Sequence, residues 1–335
     1  MTLLPSRTPR TSRLAGVLAS AAVVAVMLSA CAPGGGASGS ESSGERSGDG
    51  ADGAFPRTVQ TGKGPVTIEE APDRVVALSP TNADELLALG MEPVAVAADP
   101  ATLSEEAPWI ADEIEDIAHD DFHTAGGDLN VEAIAAVEPD LIVAQTYQVA
   151  DDAVYQQLSA IAPTVTPDSQ DGNVDWDVRL RAVAEAVDQA EEAERIIADI
   201  EEQFAAAGEQ IPGIGGKTYQ WIRVDPDAFA FGNASVFDLF GMRPAGNQDN
   251  TMNTDPLSFE RIGELDADFL AVWAPTPELR ERIDQDPLFQ DLPAVRNGTV
   301  YYADLAFATA INSPAPAALE WLKDSIVPAL DELAD

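Results

Sequence analysis

The chain carries few groups able to make or break a covalent bond. Its 335 residues include two histidines, His119 and His123, and one cysteine, Cys31, with neither a Gly-x-Ser-x-Gly elbow nor a Gly-x-x-x-x-Gly-Lys phosphate loop. Among 58 carboxylates, pairs of acids arise everywhere and carry no information about proton transfer. His119 and His123, with Asp120, Asp121 and Asp128, have a spacing that would suit metal ligands on a helix. Gly126 and Gly127 follow at once and there is no third histidine, so we expect no metal site and a loop histidine that touches ligand or solvent. No catalytic residue is expected.

The residues that stand out are suited to holding a molecule. Arg223 ends the stretch Tyr219-Gln220-Trp221-Ile222-Arg223, and cations are scarce in a chain of net charge −40. A guanidinium offers forked N–H groups to an anion and a flat face to a ring, which makes Arg223 the first candidate donor and Arg243 the second. A surface ion pair with Asp225 or Asp227 is the competing role for Arg223. Trp109, Tyr147, Trp221, Phe231 and Trp273 are candidate aromatic walls, while Trp176 and Trp321 fall on predicted helices and are expected to pack. Tyr301 and Tyr302 alternate across a predicted strand, so at most one faces a binding site.

These residues sit in a chain whose start reads as an export signal. Arg7, Arg10 and Arg13 precede an uncharged apolar run from Leu14 to Ala30. Leu28-Ser29-Ala30-Cys31 resembles the lipobox of bacterial lipoproteins, in which the cysteine sulfur is acylated and the chain is cut just before it. Residues 1–31 are therefore read as signal peptide and lipidated Cys31, which would anchor the protein to the outer face of the cytoplasmic membrane. Residues 32–54, rich in Gly, Ser, Asp and Glu, read as a flexible linker. The acidic excess argues against nucleic acid and against direct binding to anionic lipid headgroups.

From Phe55 onward, strand-like and helix-like stretches alternate. Arg74 to Leu78, a helix over Ala83 to Leu89 capped by Thr81 or Asn82, and Val94 to Ala97 make a βαβ unit; Val131 to Val137 and Leu141 to Ala144 continue it. The same alternation returns with strands at Thr218 to Val224, Phe269 to Trp273 and Thr299 to Tyr302 and a terminal helix over Ala315 to Leu333. Between the halves, Val174 to Ala207 holds no Gly or Pro, and Val183, Val187, Ala190, Ile197, Ile200 and Phe204 recur on one helical face. This predicts one long helix, capped by Asp175 or Asp177 and ended by Gly208, on the order of 50 Å long at about 1.5 Å per residue. The expected class is α/β: lobes at residues 55–172 and 210–335 with mainly parallel sheets flanked by helices, joined by one rigid helix over 173–209, with a ligand cleft between them.

Several spaced segments together resemble a known family. Pro72-Asp73-Arg74-Val75-Val76-Ala77-Leu78, Asn130-Val131-Glu132-Ala133-Ile134, Glu138-Pro139-Asp140-Leu141 and Leu257-Ser258-Phe259-Glu260-Arg261-Ile262 are similar to segments of the substrate-binding proteins of bacterial ABC importers for iron siderophores and cobalamin. The resemblance implies a monomeric receptor without a cofactor that captures a ferric siderophore and delivers it to an ABC permease. It also implies an acidic residue on each lobe that pairs with permease arginines, matched here by Asp84, or its neighbour Glu85, and by Glu260. A cobalamin or haem receptor of the same fold is the alternative; a lipid-anchored α/β enzyme, or an adhesive lipoprotein without a pocket, belongs to a different class.

Overall fold

The computed structural model describes residues 55–169, 171, 173–251 and 256–334, so the calls on Cys31 and on residues 1–54 lie outside the described residues. Strands β1 (Arg57–Val59) and β2 (Val66–Ile68) form an antiparallel pair. The first lobe then runs β3 (Val75–Ala77), α1 (Pro80–Ala88), β4 (Ala95–Ala97), α2 (Leu103–Glu106), α3 (Ala111–Ile114), β5 (Ala118–His119), α4 (Val131–Ala136), β6 (Leu141–Val143), α5 (Asp152–Ser159) and β7 (Thr164–Val165). Its sheet has the order β5-β4-β3-β6-β7 with every neighbouring pair parallel. All residues of β3, β4 and β6 are buried, as strands covered by helices on both faces must be. The chain builds outward from β3 to β5, then returns to start β6 on the other side of β3. That reversal between β3 and β6 is where open α/β sheets leave a crevice, outside the carboxyl ends of the strands.

Helix α1 begins three residues earlier than expected: Ser79, not Thr81 or Asn82, is its cap, with Oγ accepting the Asn82 N–H at 3.2 Å and Pro80 in the first turn. The helix stops before Gly90, whose φ of 74° a side chain would resist.

The single connecting helix expected over Val174 to Ala207 is in fact two, α6 (Trp176–Ala186) and α7 (Ala190–Glu209). Asp188 breaks it by taking a φ of 59°, a left-handed conformation that Asp tolerates better than most residues. Arg181 bonds Glu194 at 2.6 Å, whereas along an unbroken helix the two would stand about 20 Å apart. Arg57 holds the turn by bonding both the Glu185 carbonyl and the Asp188 carboxylate. Helix α7 alone is the long connector, burying Ala193, Ile197, Ile200 and Phe204 on one face. At its end Gly208 does not act as a cap; it lets the helix approach Phe240, whose carbonyl oxygen would lie 2.5 Å from an added Cβ.

The second lobe comprises β8 (Thr218–Val224), β9 (Ala228–Phe231), α8 (Val236–Leu239), β10 (Arg243–Pro244), β11 (Leu257–Ser258), β12 (Phe269–Trp273), α9 (Pro277–Asp284), α10 (Pro287–Gln290), α11 (Pro293–Asn297), β13 (Val300–Ala303), α12 (Leu305–Asn312) and α13 (Pro316–Leu330). Its sheet runs β11-β9-β8-β12-β13, with β10 also on β8; β8, β12 and β13 are parallel and β9 turns back across Asp225-Pro226-Asp227.

The two sheets are anchored alike. Asp140, just before β6, accepts the Asp73 and Arg74 N–H groups at 2.9 Å, and Asp268, just before β12, accepts the Thr218 N–H at 2.8 Å and hydroxyl at 2.9 Å. One apolar cluster runs through both lobes, joining Val75 and Leu141 to Tyr219, Phe269 and Ile326. The lobes meet through segments that leave the carboxyl ends of their strands: the Thr81 hydroxyl reaches the Ser313 carbonyl, Asp84 caps α13, and Trp109 lies on Trp321 with ring centroids 5.5 Å apart.

Candidate functional site

A groove with a volume of about 890 Å³ opens at the carboxyl ends of β3, β4 and β6, the point where the strand order reverses. Ser79 and Pro80 of the β3–α1 connection, Asp99 after β4, and Tyr147 and Gln148 after β6 form its walls, with His123 and Asp128 at its edge. Gln148 closes the floor by donating to the Leu78 carbonyl and accepting the Gln145 N–H at 2.8 Å. Tyr147 is 64 % exposed, the most exposed large apolar side chain among the described residues. Tyr147 also borders a second cavity of about 350 Å³, which Lys63 and Thr146 help to line. The ring is thus a partition between two hollows.

On the second lobe, Arg223, Trp273 and Ala303 sit side by side at the carboxyl ends of β8, β12 and β13. Trp273 is half-buried, and Leu305, the first residue of α12, is 37 % exposed. Arg223 makes the surface ion pair that competed with a ligand role: Nε and Nη2 bond the two oxygens of Asp225 at 2.8 and 2.9 Å.

The remaining candidates are placed elsewhere. Trp221 is 1 % exposed, packs against Phe307 and donates its indole N–H to Asn312, and Phe231 is buried in a core beneath β9, so neither is a wall of an open site. Trp109 packs against the main core beside Trp321, as α13 packing requires. Arg243 pairs with Thr218 at the amino end of β8, the opposite edge of the sheet from Trp273. His119 is half-buried and stacked on Phe122, whereas His123 faces the groove. Among the described residues, no three histidine, cysteine or carboxylate side chains gather as a metal site.

Asp84 and Glu85 are each 1 % exposed, which removes both from any docking surface. Asp84 caps α13; Glu85 bonds Asn82 at 3.0 Å and Arg179 at 3.0 Å, and burial pushes both carboxyls upward. The exposed acid in the first lobe that mirrors Glu260 is instead Glu132. Leu129-Asn130-Val131-Glu132-Ala133-Ile134 and Leu257-Ser258-Phe259-Glu260-Arg261-Ile262 have the same pattern and the same place before β6 and β12, with each Glu in the first turn of a short helix. That internal repeat is the signal in the sequence that pairs Glu132 with Glu260.

The chain and its fold are similar to known proteins. The chain is 27 % identical over 297 residues to the Fe(3+)-citrate-binding protein YfmC of Bacillus subtilis, covering 84 % of this chain and 89 % of that one. It is 25 % identical over 299 residues to the iron(3+)-hydroxamate-binding protein YxeB of the same organism, covering 83 % and 85 %. The fold matches a periplasmic solute binding protein from Mycobacterium smegmatis with a TM-score of 0.69 at 24 % identity, over 83 % of this chain and 98 % of that one. It matches Staphylococcus aureus SirA, solved with staphyloferrin B, with a TM-score of 0.69 at 22 % identity, over 82 % and 98 %. The periplasmic binding protein model matches residues 75–306, from β3 of the first sheet into α12 beyond the second, and the chain belongs to that family.

Proposed function

We propose that this chain captures a ferric siderophore in the groove at the carboxyl ends of the first sheet and presents it to the permease of an ABC importer. The observation that carries the reading is the exposed Tyr147 ring, standing in a groove at the strand-order reversal. A chelated ferric ion has its coordination already satisfied, so its receptor needs ring faces, shape and a few polar groups rather than metal ligands. Trp273 and Leu305, at and just beyond the carboxyl ends of the second sheet, are the proposed contacts from the second lobe. The relatives named for ferric citrate and iron hydroxamate support the same ligand class. The task is binding without chemistry.

Glu132 and Glu260 are the proposed contacts to basic side chains of the permease, one from each lobe. Exposed charge pairs of this kind set orientation and encounter rate more than affinity. Cys31 carries the lipid that keeps the receptor beside its permease. The test is a tryptophan-fluorescence titration of the protein lacking residues 1–31 with ferric siderophores, cobalamin, haem and free metal ions. Saturable quenching by a ferric siderophore is expected; a saturable response to haem or bare Zn²⁺ alone overturns the reading.

A further inference from the structure

The groove is lined by charge of one sign. Asp99, Glu106, Asp128 and Asp151 all border it and no lysine or arginine does. None of the four has an ion-pair partner among the described residues. Three cations of the adjoining cavity, the second lobe and the core are held in ion pairs. Lys63, in the adjoining cavity, bonds Asp152 at 2.7 Å and the Ala150 carbonyl at 3.3 Å. Arg223 is held by both oxygens of Asp225, and Arg179 is 3 % exposed and paired with Glu85.

Carboxylates without a counter-charge around an open groove repel an anion and draw in a cation, an effect that salt screens because Asp99, Asp128 and Asp151 are exposed, and the open face of Tyr147 adds attraction of the same sign. The chemical classes of iron chelate differ in this respect. Three hydroxamates neutralise Fe(III), and a pendant ammonium makes the complex positive; three catecholates leave it triply negative, and citrate complexes are anionic as well. We infer that the groove takes ferric complexes of zero or positive net charge, the tris-hydroxamate class, and discriminates against anionic catecholate and citrate complexes. This rests on the siderophore reading above and replaces the arginine-held anion expected from the sequence.

The test is equilibrium titration of the purified protein, at low and at physiological ionic strength, with the Fe(III) complexes of desferrioxamine B (singly positive), ferrichrome (neutral), enterobactin (triply negative) and citrate. The first two are expected to bind about tenfold or more tighter than the anionic pair at low salt, the gap narrowing as salt is added. Glu106 and Asp128 make no side-chain hydrogen bond among the described residues, so Glu106→Gln with Asp128→Asn removes charge without removing a contact. The double variant should weaken the positive complex about threefold or more and strengthen the anionic ones, each measured relative to ferrichrome, while an unfolding midpoint and circular dichroism spectrum like those of the parent report intact folding. Anionic complexes that bind as tightly as the others, or a double variant that shifts no ratio, overturn the inference. Failure of all four complexes to bind is a separate outcome that overturns the siderophore reading itself, and the inference with it.

Discussion

Asp84 holds the first turn of a helix in the other lobe: its Oδ1 accepts the Ala317 N–H at 2.9 Å, and Oδ2 accepts that of Ala318 at 3.0 Å. Burial pushes this carboxyl up to about 7, against the two N–H donors and the nearby Trp109 indole, whose Nε1 is itself buried without a partner at hydrogen-bond geometry. The sign of the linkage follows. An acid with a raised folded pKa binds more protons folded than unfolded, so its contribution to stability is complete below about pH 4 and is lost as the pH rises through about 7. Thermal midpoints should therefore fall between about pH 5 and pH 8, and Asp84→Asn should flatten that fall. Glu85, Asp175 and Asp238 are shifted in the same direction, so the difference between the two proteins carries the test. Parallel slopes in scanning fluorimetry would contradict it.

Glu85 and Arg179 form a buried pair with both side chains under 5 % exposed, and Arg179 also donates to the Val174 and Pro314 carbonyls. Removing one member strands the other charge in the interior, a loss of about 3–5 kcal/mol. Arg179→Ala should lower the urea midpoint accordingly. Arg179→Met combined with Glu85→Leu should cost less than either change alone, because no charge is left behind; a double variant as unstable as the sum of the two would refute this.

Tyr147 gives the opposite profile. Its ring is 64 % exposed, so Tyr147→Ala should move the unfolding midpoint by no more than about 0.5 kcal/mol equivalent. Ligand affinity should fall about tenfold, the usual loss when an aromatic wall is truncated. Calorimetric titration separates the two quantities, and unchanged affinity would remove Tyr147 from the site.

The alternation that predicts both parallel sheets is visible in the residues because strands such as Val75–Ala77 and Leu141–Val143 are apolar throughout, a pattern that depends on local burial alone. What escaped depends on the conformation of single residues or on contacts far along the chain. Asp188 breaks the connecting helix without a Gly or Pro to mark it, since only its backbone angle differs. Trp221 and Phe231 look like binding aromatics by type and lie in cores, Trp221 against Phe307 of α12 and Phe231 in the cluster that holds Leu257 and Ile262. Asp84 reads as surface acid, and its partner is a helix start more than two hundred residues away. Tyr147, by contrast, lies four residues beyond the central strand β6, a position that the sheet topology alone leaves exposed at the carboxyl ends of the strands.

Gly208 marks where the connecting helix α7 presses on the second lobe. A Cβ there would lie 2.5 Å from the Phe240 carbonyl oxygen and 3.1 Å from its carbon, and backbone cannot swing aside as a flexible side chain can. Gly208→Ala should raise helix propensity slightly and still lose about 1–3 kcal/mol, because α7 and α8 must be forced apart. Gly216→Ala is the control, since nothing lies within 4 Å of the added methyl and its effect should stay within about 0.5 kcal/mol. Urea denaturation of the two variants side by side decides the matter: equal midpoints would mean that α7 can slide on Phe240, and the close contact would then not fix how the connector meets the second lobe.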